Sequence, residues 1–237
     1  MSDLVVNADD LGLSPGVNRG IARAHLDGIV TSTSLMVRRP AAEHAAEIVQ
    51  ELPSLGVGLH VDLAEWVAEP SGWRPLYAFV DDGDELAVAE EVERQLLLFE
   101  NLVGRPPDHL DSHQHAHRSE PLRSILGRRA KELRVPLRFH SRFEYFGGFY
   151  GQDGNGRALP TAIAPQGLQT ALAERPGGAT EICCHPAADI DFHSSYGAER
   201  LSELETLCDP GVRESITAAG FVLASFAEHK RRFLAVN

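Results

Sequence analysis

Nowhere in the sequence do roughly 18 apolar residues follow one another, so no bilayer-spanning helix is expected. Cysteine is scarce. Three residues, two of them adjacent at Cys183 and Cys184, give neither a disulfide framework nor the spacing of a zinc clip, and they read as packing residues. Basic residues are outnumbered by acidic ones, 22 against 34, and the resulting net charge of -12 repels a nucleic-acid backbone or an anionic membrane surface on average. The first ten residues offer no basic segment followed by a long apolar one, so no secretory leader is expected and a reducing cytoplasm is the expected setting. Neither a Pro/Gly/Ser linker nor an internal repeat divides the chain, and residues 1–237 read as one barrel-like catalytic domain.

With 43% hydrophobic and 24% charged residues, the composition is that of an ordinary globular chain able to bury a core. Residues 4–8 form a short, β-branched apolar run closed by Asp9 and Asp10, a buried strand and its loop. Ser14 and Pro15 are a matched helix start, followed by Val17, Ile21 and Ala24 at helical spacing and closed by Gly28. Strands are then predicted at 30–37, 57–63, 109–112, 180–184 and 221–225, with 135–139 extended. Helices are predicted at 41–51, at 87–103 with a stripe of Val92, Leu96, Phe99 and Val103, at 122–133, at 166–173, around Leu201 and Val212, and at the C-terminus. The glycine-rich stretch 141–160 reads as a surface flap. About seven strands alternating with helices imply a mostly parallel sheet covered by helices, a distorted (β/α) barrel in preference to a doubly wound sheet.

Polar clusters stand directly after four of these strands, and strand ends of parallel folds share the face where active sites are built. Asp9 and Asp10 would repel each other unless a cation or hydrogen bonds absorb their charge, so one can bind metal while the other works as a base. His60 shares the polar face of its strand with Gly58 and Asp62. The segment Asp111 to His117 would stack His113, His115 and His117 on one side if extended, and His113 is nearest the strand. His185 ends an apolar strand that Pro186 cannot continue; an imidazole there suits a general acid for a leaving amine, and it is expected to be charged at small cost near pH 7. Trp66, Trp73, Phe149 and Tyr150 are candidates to stack on a sugar face.

Taken in order, Val6 to Ser14, Gly28 to Ser34, Gly58 to His60, Leu110 to His117 and Cys184 to Pro186 resemble the YdjC-like carbohydrate deacetylases, which include chitooligosaccharide and hopanoid-biosynthesis deacetylases. The resemblance implies a distorted (β/α) barrel, often a homodimer, with one divalent metal ion held by Asp10, His60 and His113 and with Asp9 as catalytic base. It also matches Arg138 to a family arginine that would orient Asp9 or hold substrate. His115, next along the histidine segment, is expected as a further substrate contact. Magnesium is the ion usual in that family; two imidazoles and a carboxylate suit zinc at least as well. The expected reaction is hydrolysis of an N-acetyl group on a small amino sugar or oligosaccharide, releasing acetate. The chain is short between Leu63 and Glu85 and carries Ala187 where the family has glycine. The alternatives are an amidohydrolase or phosphoesterase-type metal barrel clamped by His113 and His115, and a noncatalytic sugar-binding barrel.

Overall fold

A computed structural model describes residues 1–69, 72–175 and 177–230 of the chain. Its parallel strands are β1 (Ser2–Leu11), β2 (Ser32–Leu35), β3 (Gly56–Val61), β6 (Leu110–Ser112), β7 (Glu144–Phe146), β8 (Thr180–Cys184) and β9 (Phe221–Leu223). They hydrogen-bond in the order β6-β3-β2-β1-β8-β7, and β9 pairs with the first residues of β1. A separate antiparallel hairpin, β4 (Ala64–Glu69) and β5 (Gly72–Ala78), stands off this sheet. The sheet is strongly curled: Arg138 reaches Asp9 on β1, Asp111 on β6 and Glu181 on β8 at once. That is the distorted, incompletely closed barrel the alternation implied.

The helices α1 (Pro15–Leu26), α2 (Ala42–Glu51), α3 (Glu85–Val103), α4 (Leu122–Leu133), α5 (Pro165–Ala173), α6 (Ala198–Leu207) and α7 (Pro210–Ala218) cover the strands. Local chemistry fixes their ends. Ser14 Oγ accepts from the Val17 amide at 3.2 Å, and Val17, Ile21 and Ala24 bury the inner stripe of α1. Asp84 caps α3 by accepting from Leu86 and Ala87, while Gly104 closes it in the left-handed conformation, φ 76°. The strands are buried on both faces, as parallel strands covered by helices must be, and so they read as short apolar runs.

Three predicted segments differ. Residues 135–139 contribute one bridge, Leu137 to Leu110, rather than a strand, because Phe139 turns away at φ 64°. The 141–160 stretch is no simple flap: it holds β7, which completes one sheet edge, and Phe149, which is buried. The final helix is present from 226 to 230, and the remainder of that expectation, 231–237, lies outside the described residues.

Candidate functional site

Strict alternation along β1 would send Asp9 and Asp10 to opposite faces of the sheet. Asp10 instead takes φ 70°, and the β1–β2 register shifts between Ala8 and Leu11, so both carboxylates line one cavity. Holding a non-glycine residue in that left-handed region costs about 1–2 kcal/mol, a strain that persists where function requires it. Register supplies the other groups. Ala8 lies level with Cys184 and His60 with Asp111, which gathers Asp9, Cys183, His185, His60 and Asp111 at one end of the barrel.

Asp10, His60 and His113 form a compact cluster in which one donor atom from each lies within 4.8 Å of the others. His60 Nε2 is 3.4 Å, and His113 Nδ1 3.3 Å, from the same oxygen, Asp10 Oδ1. Metal–ligand bonds of about 2.0–2.2 Å place neighbouring donors roughly 3.0–3.5 Å apart, so these residues fit a small divalent cation. His60 Nδ1 is hydrogen-bonded to Asp111 Oδ1 at 2.7 Å, the carboxylate brace that fixes a metal-binding imidazole. The second Asp10 oxygen accepts from Arg200 Nη2 at 2.6 Å. Burial opposes the Asp10 charge, but Arg200 and the two imidazoles outweigh it and hold the carboxyl well below the usual range. Burial likewise opposes charge on His60, yet Asp111, Asp9 and Asp10 together push its pKa well above the ordinary value: the surroundings attract a cation. Asp9, His60 and Asp111 also approach one another, and there Arg138 lies between the two carboxylates, 2.7 Å from Asp9 and 2.9 Å from Asp111.

Arg138 is 2% exposed and lies beneath the cavity. Its Nη1 and Nη2 donate to the two oxygens of Asp9 at 2.7 and 2.8 Å, Nη2 is 2.9 Å from Asp111 Oδ2, and Nε donates to Glu181 Oε1 at 2.7 Å. The expectation that it touches substrate is therefore corrected: its donors are spent on three buried carboxylates, and what remains is the orienting of Asp9. Asn7 Nδ2 and Ser34 Oγ add donations to Asp9 Oδ1 at 2.8 and 3.2 Å. One guanidinium cannot offset three buried charges. Burial pushes Glu181 up to about 7, whereas Asp9, despite its burial, is held well below the usual range by Arg138 and stays ionised.

His185 faces Asp9 from the end of β8. Its amide donates to Glu203 Oε2, Tyr196 donates its hydroxyl to Glu203 Oε1, and its Nε2 lies 3.8 Å from Cys183 Sγ. Burial pushes the imidazole down to about 4, so it is neutral at pH 7; charging it is not cheap, contrary to the expectation from sequence. Cys183 is not a mere packing residue either, since its thiol donates to Asp9 Oδ2 at 3.2 Å and lines the cavity. Cys184 does join the core.

The three imidazoles expected to stack in 113–117 do not. The segment His113–Arg118 turns as a short 3-10 helix in which Gln114 and His115 are left-handed, φ 50° and 55°. Only His113 faces Asp10. His115 Nε2 bonds the Tyr145 hydroxyl at 3.0 Å on the cavity wall, and buried His117 is held between Ser112 Oγ and the Arg138 carbonyl at 2.6 and 3.2 Å. Phe149 and Tyr150 line the cavity, Tyr150 stacked on Tyr196 with ring centroids 4.4 Å apart, whereas Phe149 is 1% exposed and offers little face to a ligand. Trp66 sits at the hairpin, where its amide and carbonyl bond the Gln114 side chain at 2.9 and 2.8 Å; the Trp73 side chain lies outside the described part.

These groups surround a cavity of about 410 Å³. A larger one, about 690 Å³, runs along α4 between Arg134, Leu137 and Phe143 and holds none of the strand-end residues, so volume alone does not locate the chemistry. Arg200 and Glu203 escaped the sequence reading. The signal was available: they occupy the buried stripe of α6 with Leu204 and Leu207, where charges are rare unless paired.

The profile of the YdjC-like protein family matches residues 3–218. A chitooligosaccharide deacetylase of Serratia marcescens is 33% identical over 95% of this chain and 98% of its own length. Among solved structures, a protein of Enterococcus faecalis named provisionally for cellobiose-phosphate cleavage superposes with a TM-score of 0.78 at 27% identity, covering 96% of this chain and 98% of that one. A family 4 carbohydrate esterase of Streptomyces lividans, solved with acetate, shares the fold at a TM-score of 0.54 and 12% identity, over 94% of this chain and 91% of that one.

Proposed function

The chain belongs to the YdjC-like protein family, and from that premise we propose that it is a metal-dependent carbohydrate deacetylase that hydrolyses the N-acetyl group of a small amino sugar or oligosaccharide. The observation that carries the reading is the convergence of the Asp10, His60 and His113 donors at a cavity whose wall also presents Asp9 and His185. Bound there, a divalent cation supplies Lewis acidity toward a water and an amide carbonyl. Two imidazoles and one carboxylate favour zinc or another transition ion over magnesium.

Asp9, ionised and clamped by Arg138, is placed to take a proton from the attacking water. Its donors from Asn7, Ser34 and Arg138 fix its direction and make it a weak base. His185 is neutral at rest, so the proton that Asp9 takes from the water would be handed on to His185 and from it to the departing amine nitrogen. Acetate and the free amino sugar are the products. Tyr145, Tyr150 and Tyr196 line the cavity with aromatic edges suited to a sugar ring. The same proposal has the enzyme act as a homodimer in the cytoplasm; among the described residues no helix is long and apolar enough to cross a membrane.

Incubating metal-loaded protein with N-acetylglucosamine oligomers and assaying acetate tests the reading. Acetate release that disappears on chelation and returns with zinc is the expected outcome. Phosphate release from a sugar phosphate without acetate release would instead favour the phosphoesterase alternative.

A further inference from the structure

The cavity holds a second set of converging donors that the hydrolytic reading does not use as ligands. Asp9, Cys183 and His185 each offer one atom within 4.8 Å of the others. Cys183 Sγ stands 3.2 Å from Asp9 Oδ2 and 3.8 Å from His185 Nε2. We propose that these three side chains form a second cation site, selective for soft ions such as Zn²⁺ or Cd²⁺, and that filling it silences the enzyme.

The geometry suits that role. Bonds of about 2.3 Å to sulfur and 2.0 Å to nitrogen or oxygen at tetrahedral angles set the sulfur roughly 3.5 Å from the other donors, between the two separations observed. The thiol proton now points at Asp9 Oδ2. When an ion binds, that proton leaves to solvent, the sulfur becomes a thiolate, and the oxygen lone pair it occupied turns to the ion. No oxidant or reductant is involved. His185 Nδ1 is buried without a hydrogen bond, and the ring is held by edge contacts with Tyr150 and Tyr196, which leave its Nε2 directed toward Cys183 Sγ. All three residues line the cavity, which gives the ion a way in.

Ligand chemistry separates the two sites. Asp10, His60 and His113 present oxygen and nitrogen only, whereas the thiolate selects soft ions. Arg138 bonds Asp9 Oδ2, the same oxygen that faces Cys183, whereas Arg200 bonds the Asp10 oxygen turned away from His60 and His113, so the second site is the weaker of the two. That occupancy stops turnover rests on the roles assigned above to Asp9 and His185; the existence of the site does not.

Titration of the intact protein with Cd²⁺, followed by the thiolate-to-cadmium absorbance in the ultraviolet and by equilibrium dialysis, tests the proposal. Two equivalents are expected, the absorbance growing with the second as acetate release falls. Cys183→Ser should abolish the band and weaken the second equivalent at least about tenfold while keeping the first. Cys208→Ser should keep the band, and His60→Asn should lose the first equivalent and keep it. A single equivalent without the band, or a band that survives Cys183→Ser, overturns the site. A band with undiminished acetate release overturns the inhibitory role. If Cys183→Ser does not fold, cadmium-soaked wild-type crystals decide by anomalous scattering between Asp9, Cys183 and His185.

Discussion

The buried Arg138 guanidinium grips the Asp9 carboxylate by both of its oxygens. Two parallel N–H donations fix both the position and the direction of the carboxylate, which a lysine ammonium cannot reproduce. Arg138→Lys should therefore lower kcat of acetate release with little change in KM, while Asp9→Asn should lower kcat by about 10²- to 10⁴-fold, the usual worth of a positioned general base. Arg138→Met leaves Asp9, Asp111 and Glu181 facing one another in a buried place, and a loss of about 3–5 kcal/mol in urea unfolding is expected. An unfolding midpoint equal to that of the parent would show that the network is not what holds these strands together. Spacing alone could nominate Asp9 and Asp10, but not which of them binds Arg138 and which faces His60; the φ of 70° at Asp10 decides that, and no pattern in the sequence encodes it.

At the level of elements, the site is built by strand ends and held by what packs behind them. Gly20 lies on the buried face of α1, where an added Cβ would come within 2.5 to 2.7 Å of backbone atoms of Ala187 and Ala188. Ala187 is two residues past His185, so Gly20→Ala has to push the β8 exit away from α1. Overpacking of this kind costs about 1–3 kcal/mol, and because the displaced loop carries His185, acetate release should fall further than stability alone explains. Removing a cap elsewhere on the same helix is a control: Ser14→Ala should cost about 1 kcal/mol. The elements themselves were legible because their signals are local: the Ser14-Pro15 start, the stripe of α3, and apolar runs ended by Asp9, His60 and His185. What sequence could not yield were features set by tertiary fit. Segment 113–117 carries the alternation of a strand, yet it turns because Gln114 is held at the hairpin and His117 beneath the site. Arg200 and Glu203 are marked by their place on the apolar stripe of α6, but their partners, Asp10 and the His185 amide, follow only from how α6 is laid against the strand ends.

For the whole molecule, the concentration of buried titratable groups at one end of the barrel makes stability depend on pH. Burial pushes His109, His117 and His185 down to about 4 and His115 to about 3, against roughly 6.5 in an unfolded chain. Between those values the unfolded chain binds protons that the folded chain refuses, so stability falls as pH drops through that window. Glu181 and Glu203 act in the opposite sense. Burial lifts both to about 7, above an unfolded value near 4.3, so between the two they take up protons on folding and gain stability as pH falls. Four imidazoles against two carboxyls leave the unfolded chain with more protons between about pH 4.3 and 6.5, and the net slope is destabilising toward acid. A melting temperature of the metal-free protein that declines from about pH 6 to pH 5 is the expected result. His109 provides the decisive comparison: its ring is buried against Phe226, centroids 4.2 Å apart, and among the described residues neither of its nitrogens is hydrogen-bonded. His109→Phe removes that proton uptake without touching Asp10, His60 or His113, so the acid decline should become shallower. An unchanged slope in the variant would mean that His109 is already charged or already exposed in the folded protein.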